Sequence, residues 1–169
     1  MLRLRPVRLD DETEFRAGHE QMADEGFAFG FLLDPETPWR DYVSMLAGFA
    51  SGSNLPDGWV PNTFLVAEVD GQIVGRASIR HELNEFLARR GGHIGYCVLA
   101  AHRRRGYATE ILRQALVVAR SLGVDRVLVT CDDDNIGSIK VIETWGGKLD
   151  SVLTGDEPGS APLRRYWID

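Results

Sequence analysis

The stretch with the clearest capacity for chemistry is Arg103-Arg104-Arg105-Gly106, which stands directly before Tyr107-Ala108-Thr109. A strand-like apolar run, residues 94–99, precedes it, and an amphipathic helical pattern follows it. The first N–H groups of a helix have no partner within the helix, and the helix dipole favours negative charge there. Glycine lets a ligand approach the backbone, and arginine donates forked hydrogen bonds to phosphate oxygens. The pattern predicts a phosphate or pyrophosphate site; the alternative is a solvated basic turn.

A second polar pair follows the next predicted strand. Asn135 and Ser138 are three residues apart, so they share one face of the short helix predicted for residues 135–144. Asparagine is also a good helix N-cap, and a residue at this position can both cap the helix and face a ligand.

Together these motifs resemble those of the GNAT family of N-acetyltransferases. Arg103-x-x-Gly106-x-Ala108 is similar to the family's Arg/Gln-x-x-Gly-x-Gly/Ala element. Gly95-Tyr96-x-Val98 before it and Asn135-x-x-Ser138 after it also match. The likeness, which includes a group of uncharacterised bacterial acetyltransferases, begins near Thr63 and continues to the C-terminus.

The resemblance implies direct transfer of an acetyl group from acetyl-CoA to a primary amine, in a ternary complex and without a metal. It places the pyrophosphate on the glycine loop and the pantetheine arm along strand 4, near an amide that polarises the thioester. The cofactor-binding residues implied are Cys97, Val98, Leu99, Arg103, Arg104, Arg105, Gly106, Tyr107, Ala108, Thr109, Asn135 and Ser138. Members of the family are often dimers, so the resemblance also allows a homodimer.

Proton transfer departs from the family pattern. Many members carry a tyrosine seven residues after the asparagine as the acid that protonates the thiolate, and here that residue is Ile142. Tyr96 and Tyr166 are the phenols that could replace it. His93 is the candidate catalytic base, because an unperturbed histidine pKa of ~6.5 suits proton transfer at neutral pH. The alternative for His93 is a structural histidine. The competing bases are His81, Glu82 and Asp132.

The missing tyrosine also motivates a second hypothesis, that the chain binds acetyl-CoA without catalysis, as a sensor or interaction module. For an acceptor pocket, the candidates are Arg80, His81 and Asn84 with the aromatic residues Phe27, Phe29, Phe31 and Trp39. For the aromatic residues, the alternative is packing between helices.

Composition places the chain among ordinary globular proteins. Its 169 residues suit one domain, residues 1–169, and 44% are hydrophobic and 26% charged. The net charge of −6 argues against a nucleic-acid partner and agrees with a cationic acceptor, although solubility alone would also explain it.

No apolar run is long enough to predict a membrane span. The two cysteines, Cys97 and Cys131, fall in predicted core strands and are expected to be reduced, which suggests a cytoplasmic location. No His/Cys spacing supports zinc, and Asp132-Asp133-Asp134 is expected to be a solvated acidic turn.

The pattern of elements predicts an α/β fold. Two β-rich runs, residues 63–69 and 72–80, are joined by Asp70-Gly71 and predict a hairpin. The full order, β-α-α-β-β-β-α-β-α-β-β, predicts a mixed sheet with helices on its faces. It also resembles the GNAT order, which implies a mostly antiparallel sheet of six to seven strands with a splay between strands 4 and 5.

Overall fold

The computed structural model describes residues 1–155 and 158–169. Over these residues the chain forms seven strands and five α-helices. In chain order they are β1 Arg3–Arg5, α1 Glu12–Ala23, α2 Trp39–Ala50, β2 Asn62–Val69, β3 Gln72–Arg80, α3 Glu85–Arg89, β4 Ile94–Val98, α4 Tyr107–Ser121, β5 Val127–Asp132, α5 Ile136–Thr144, β6 Lys148–Leu153 and β7 Leu163–Ile168.

The strands form two antiparallel sheets, ordered β1-β2-β3-β4 and β5-β7-β6. β4 and β5 are therefore the facing edge strands, and they meet only at one end in the described contacts. There the His93 N–H donates to the Leu128 carbonyl at 2.8 Å, and the Leu128 N–H donates to His93 Nδ1 at 2.9 Å. Beyond this junction the strands separate, which confirms the predicted fold class and its splay.

The hairpin between β2 and β3 turns on Asp70 and Gly71, whose φ angles are +51° and +82°. Two positive φ values in a two-residue loop match the right-handed twist of the strands, so this prediction is confirmed. The first strand ends at Arg5, although the alternation of apolar and basic residues continues from Leu2 to Leu9. Pro6 has no N–H to give to a ladder, and a short 3₁₀ turn at Leu9–Asp11 follows.

Helices cover both faces of the larger sheet and bury two clusters of apolar side chains. On one face α4 and α5 pack their buried residues, among them Ile111 and Ile142, against β3, β4 and β5. On the other face α1, α2 and the loop between them bury an aromatic cluster that includes Phe15, Phe29 and Trp39. Phe29 and Trp39 thus serve helix packing, the alternative that the sequence left open.

A buried ion network fixes the start of the chain to β2. The Arg5 guanidinium donates to both carboxylate oxygens of Asp11 at 2.7 Å and also pairs with Glu68. These hydrogen bonds hold the pKa of Glu68 below its usual value, and those from Arg5 and Arg8 outweigh burial to lower the pKa of Asp11 as well. Arg5 thereby joins β1, β2 and the 3₁₀ turn.

None of the described helices combines the length and the apolar character that a membrane crossing requires. The described residues contain no cluster of His, Cys, Asp and Glu that could hold a metal ion.

Candidate functional site

A groove of about 750 Å³ opens where β4 and β5 separate, and we call it the β4–α5 groove. Its walls come from the end of α1, from β4, from the loop and first turn of α4, and from the first turns of α5. The residues that line it are Met22, Glu25, Phe27, Tyr96, Cys97, Val98, His102, Arg103, Arg104, Gly106, Tyr107, Ala108, Thr109, Asp134, Asn135, Ile136, Gly137, Ser138 and Val141.

Most of the residues predicted to bind the cofactor line this groove, and two do not. Leu99 is buried against the aromatic cluster, and its N–H donates to the Val74 carbonyl at 2.9 Å. Arg105 is exposed, and its guanidinium donates to the Ala101 carbonyl at 3.2 Å. The other ten, from Cys97 to Ser138, share one surface although they come from three separate segments of the chain.

The glycine loop presents a run of free backbone donors. Gly106 is the N-cap of α4 with φ of +79°, and a Cβ there would meet nothing within 4 Å. Arg104 also has a positive φ, +63°. Among the described residues, no acceptor contacts the backbone N–H groups of residues 104–109. Such a set of amides at a helix N-terminus can bind an anion.

The three consecutive arginines have three different environments. Arg103 donates to Glu25 at 2.6 Å and to the Val98 carbonyl at 3.1 Å, so its side chain ties the end of α1 to the end of β4. Arg105 faces the surface. Arg104 lines the groove, and no described residue pairs with its guanidinium, which leaves it available to a ligand.

The free edge of β4 faces the groove. Alternate residues of an edge strand direct their N–H and C=O groups away from the neighbouring strand. Since Leu99 N–H bonds to β3, the Val98 N–H points the other way, towards the splay. An extended ligand could add to this edge as a further strand.

Asn135 and Ser138 form the opposite wall. The Asn135 side chain accepts a hydrogen bond from the Ser138 N–H at 3.0 Å, so Asn135 caps α5 and lines the groove at the same time. Tyr96 lies nearby, and its hydroxyl is buried without a hydrogen-bond partner in the described part of the chain. Burial raises the pKa of Tyr96 to about 12, and the Ser138 side chain, which approaches the hydroxyl without meeting hydrogen-bond geometry, partly opposes this rise.

A family model described as an acetyltransferase (GNAT) domain matches residues 1–148. The chain belongs to the GNAT acetyltransferase family. It is therefore an N-acetyltransferase, as the resemblance implied.

Individual relatives of this GNAT enzyme are distant. The chain is 27% identical over 126 residues to the uncharacterised N-acetyltransferase YjdG of Bacillus subtilis (strain 168), which covers 69% of this chain and 70% of that protein. It is 30% identical over 92 residues to the L-amino acid N-acetyltransferase AaaT of Escherichia coli (strain K12), 52% of this chain and 54% of that protein. Among solved structures it resembles yncA from Salmonella typhimurium, determined with its cofactor acetyl-CoA, with a TM-score of 0.68 and 17% identity over 99% of this chain and 93% of that one.

His93, the predicted base of this acetyltransferase, does not line the groove. It is 7% exposed, and Nδ1 accepts the hydrogen bond from Leu128 N–H that closes the β4–β5 junction. Burial, with a smaller contribution from Arg80, lowers the pKa of His93. The described contacts place His93 at the base of the splay, where its ring and its N–H join β4 to β5. Its role as base stays a prediction.

Several other residues considered for proton transfer in this GNAT enzyme also lie away from the groove. Ile142 is fully buried in the core. The hydroxyl of Tyr166 is 3.4 Å from Glu143 and 3.3 Å from an Arg164 nitrogen, and the residue does not line the groove. The His81 ring contacts the Thr63 hydroxyl at 2.9 Å. Of the two phenols that the sequence offered as the acid, Tyr96 lines the groove and Tyr166 does not; Tyr107, in the first turn of α4, lines it as well.

A second cavity of about 390 Å³ lies at the far end of β3, and we call it the β3 cavity. Three of the residues proposed for an acceptor pocket line it, Arg80, Asn84 and Phe31, whereas Phe27 lines the β4–α5 groove and His81 lines neither. Sequence reasoning missed the other residues of this cavity. Asp57, Gly58, Trp59, Val60, Asn62, Phe86 and Leu87 complete it. The exposed aromatic rings of Trp59 and Phe86, 38% and 66% accessible, are the kind of feature that could have indicated a binding surface.

The two cysteines are free thiols. Burial raises the pKa of Cys97, and it raises that of Cys131 to about 11. A thiol with a raised pKa is a poor nucleophile near neutral pH, which agrees with the expectation that neither cysteine forms an acyl-enzyme.

Proposed function

We propose that this enzyme transfers an acetyl group from acetyl-CoA to a primary amine, with both substrates bound together and with acetyl-CoA in the β4–α5 groove. The observation that carries the proposal is the run of unpaired N–H groups at residues 104–109, at the mouth of a groove between two separated strands. The presence of acetyl-CoA in the similar Salmonella typhimurium structure supports it.

In this proposal the pyrophosphate lies against the N-terminus of α4. The free amides and the helix dipole stabilise its negative charge, and Gly106 leaves room for the phosphate oxygens because it has no side chain. Arg104 adds a cation from the groove wall. Arg103 contributes its backbone and its clamp on Glu25, while its guanidinium stays bound to the protein.

The pantetheine arm would pair with the free edge of β4. Val98 N–H is oriented to donate to a carbonyl in the splay, which makes it the candidate donor to the thioester oxygen. Asn135 and Ser138 line the opposite side, where the amide nitrogen of Asn135 has no described partner.

Transfer requires a proton for the leaving thiolate. The amine nitrogen attacks the thioester carbonyl carbon, so that a C–N bond forms and the C–S bond breaks. The proton that the amine loses passes to solvent water, from which the acid that protonates the sulfur regains its own proton. We assign Tyr96 as the acid that protonates the sulfur, because the residue lines the groove and its hydroxyl, although buried, has no hydrogen-bond partner among the described residues. Its raised pKa of about 12 keeps it protonated at neutral pH.

Calorimetry tests the assigned cofactor site. We expect Gly106→Glu to abolish measurable acetyl-CoA binding, since it places a side chain and a negative charge where the pyrophosphate would lie. Gly123→Glu is the matched control: Gly123 also has a positive φ, +86°, and a Cβ there also meets nothing within 4 Å. Equal acetyl-CoA affinity in the two variants would reject the assigned site.

The non-catalytic alternative differs in one measurable respect. A sensor would bind acetyl-CoA tightly and release no CoA in the presence of any amine of a broad panel. Membership of an acetyltransferase family favours catalysis, and no described contact favours the sensor.

Our remaining expectations concern the whole chain. We expect a single domain over residues 1–169 and a cytoplasmic location. We also expect a homodimer without nucleic-acid or membrane partners. The composition and the family are consistent with these expectations. Sedimentation of the purified chain would test the dimer.

A further inference from the structure

The β3 cavity bears on the identity of the acceptor. We infer that the acceptor is a primary amine that carries a carboxylate, the class of the α-amino acids, and that Arg80 binds this carboxylate in the β3 cavity. The inference rests on the proposed function of the β4–α5 groove.

Arg80 is a partly buried cation without an acidic partner among the described residues. The one hydrogen bond of its guanidinium is to the Gly91 carbonyl, at 3.3 Å, and the rest of its five N–H donors are unpaired. Burial and the neighbouring Arg76 lower the pKa of Arg80 to about 10, so it remains charged at neutral pH. Holding such a cation away from water is costly unless an anion compensates it, and guanidinium geometry suits a carboxylate.

A second arginine increases the positive charge on the same face of β3. Arg76 is 4% exposed and has no carboxylate partner in the described chain. It donates instead to the Phe29 and Ala28 carbonyls, at 3.1 and 3.2 Å, and lies over the rings of Phe27 and Phe31. Arg76 therefore holds the loop between α1 and α2 in place, and Arg80 retains the free donors.

The position of Arg80 suits an amine that reacts in the groove. A Cβ on Gly95 would lie 3.1 Å from Arg80 Nη1, so the guanidinium sits over Gly95. Cys97 is on the same face of β4, two residues and ~7 Å further along the strand, and it lines the β4–α5 groove. An α-amino acid can bridge a distance similar to these ~7 Å. A hydrogen bond of ~2.8 Å would join Arg80 to the carboxylate oxygen, and three covalent bonds lead from that oxygen to the α-amine.

The remaining walls of the cavity are mixed. Asn62 is 3% exposed and pairs with Arg80 across the β2–β3 ladder, and its Oδ1 has no described partner. Phe31, Trp59 and Phe86 supply aromatic surface, which suits an apolar side chain on the acceptor. Asp57 is exposed at the rim, and no ion pair joins it to Arg80 in the described part of the chain.

The acceptor side of the inference can be tested on the unmodified enzyme. Acetyl-CoA binding is first measured by calorimetry, and CoA release is then followed with L-phenylalanine, L-phenylalaninamide and phenethylamine. The amine pKa of the amide is lower, and that of phenethylamine higher, than that of the amino acid. A kcat/KM for L-phenylalanine ~10²-fold above both would support a carboxylate site, because a site built for a polar group rejects analogues that lack it.

Variants of Arg80 test whether this residue causes the preference for a carboxylate-bearing acceptor. In Arg80→Met we expect the preference for L-phenylalanine over phenethylamine to fall to within about threefold, from the ~10²-fold expected of a charge pair. Arg80→Lys should retain part of it. Arg40→Met is the control, since Arg40 is exposed on α2 and lines neither cavity, and it should behave as the wild type.

The outcomes separate this inference from the proposed function. Loss of acetyl-CoA binding or of all amine-dependent CoA release in the wild type would overturn the proposed function, and the inference with it. Tight acetyl-CoA binding with efficient acetylation of phenethylamine or of a diamine, and no gain from a carboxylate, would overturn the inference alone. A carboxylate preference that survives in Arg80→Met would also overturn it.

Discussion

Replacing Tyr96 by phenylalanine tests the proposed acid with the removal of one oxygen atom. The hydroxyl is buried and has no hydrogen-bond partner in the described structure, so its loss breaks no contact that holds the fold. An unsatisfied buried polar group costs ~1–3 kcal/mol. We therefore expect the free energy of unfolding of Tyr96→Phe to equal that of the wild type or to exceed it by up to about this amount.

Whereas the stability of Tyr96→Phe should be unchanged or higher, its catalytic rate should fall. A general acid typically contributes ~10²–10⁴-fold to rate, which corresponds to ~3–5 kcal/mol of transition-state stabilisation. We expect kcat to fall by this factor while the Kd for acetyl-CoA changes little. The assays are CoA release at saturating acetyl-CoA, calorimetric titration with acetyl-CoA and denaturant unfolding.

Tyr42 provides a matched control within the same chain. Its hydroxyl is also buried without a partner, but Tyr42 packs in the aromatic cluster and does not line the groove. Tyr42→Phe makes the same chemical change and should leave kcat unaltered. Equal kcat values in the two variants would refute the assignment of Tyr96, and a loss of activity fully explained by weaker acetyl-CoA binding would refute it too.

Three further predictions concern the framework of the site. Arg5→Met leaves two buried carboxylates without their shared cation and should lower the free energy of unfolding by ~3–5 kcal/mol in urea titrations; a loss below about 1 kcal/mol would contradict the importance of the network. Because the pKa of His93 is lowered in the folded state, its contribution to stability is complete above its usual pKa of ~6.5 and is lost as the pH falls below that value, with a slope of at most ~1.4 kcal/mol per pH unit. In His93→Asn the free energy of unfolding should therefore fall less steeply as the pH is lowered below ~6.5. An unchanged pH dependence would show that other titrating groups cause the loss of stability. Gly92→Ala places a Cβ 2.4 Å from the Leu128 carbonyl oxygen at a φ of +62°, so it should lower the thermal unfolding temperature and weaken acetyl-CoA binding, whereas Gly26→Ala, with open space at a similar φ, should preserve acetyl-CoA binding.

Features decided by neighbours in the chain could be predicted from the sequence. The Asp70-Gly71 turn needs only two residues that tolerate positive φ, and Asn84 and Asn135 cap their helices with their own side chains. Gly106 at the start of α4 belongs to the same class. These local preferences are strong enough to locate the elements and the anion loop.

Features decided by distant parts of the chain could not be predicted. Whether Arg103 or Arg104 is free depends on Glu25, which lies just after α1 and 78 residues before Arg103. The role of His93 depends on Leu128 in the second sheet. Likewise, no pattern in β4 indicates that the Tyr96 hydroxyl is left unpaired, since this depends on residues such as Ser138 that come from a distant part of the chain.

The separation of β4 and β5 has a consequence for the protein in the absence of its coenzyme. Unpaired strand edges invite pairing with other chains, and here two such edges face one gap. A coenzyme arm seated along β4 would occupy these peptide groups and deny them to a second molecule. We expect CoA to suppress self-association at high protein concentration, so light scattering with and without CoA would reveal whether the coenzyme also keeps the enzyme in solution.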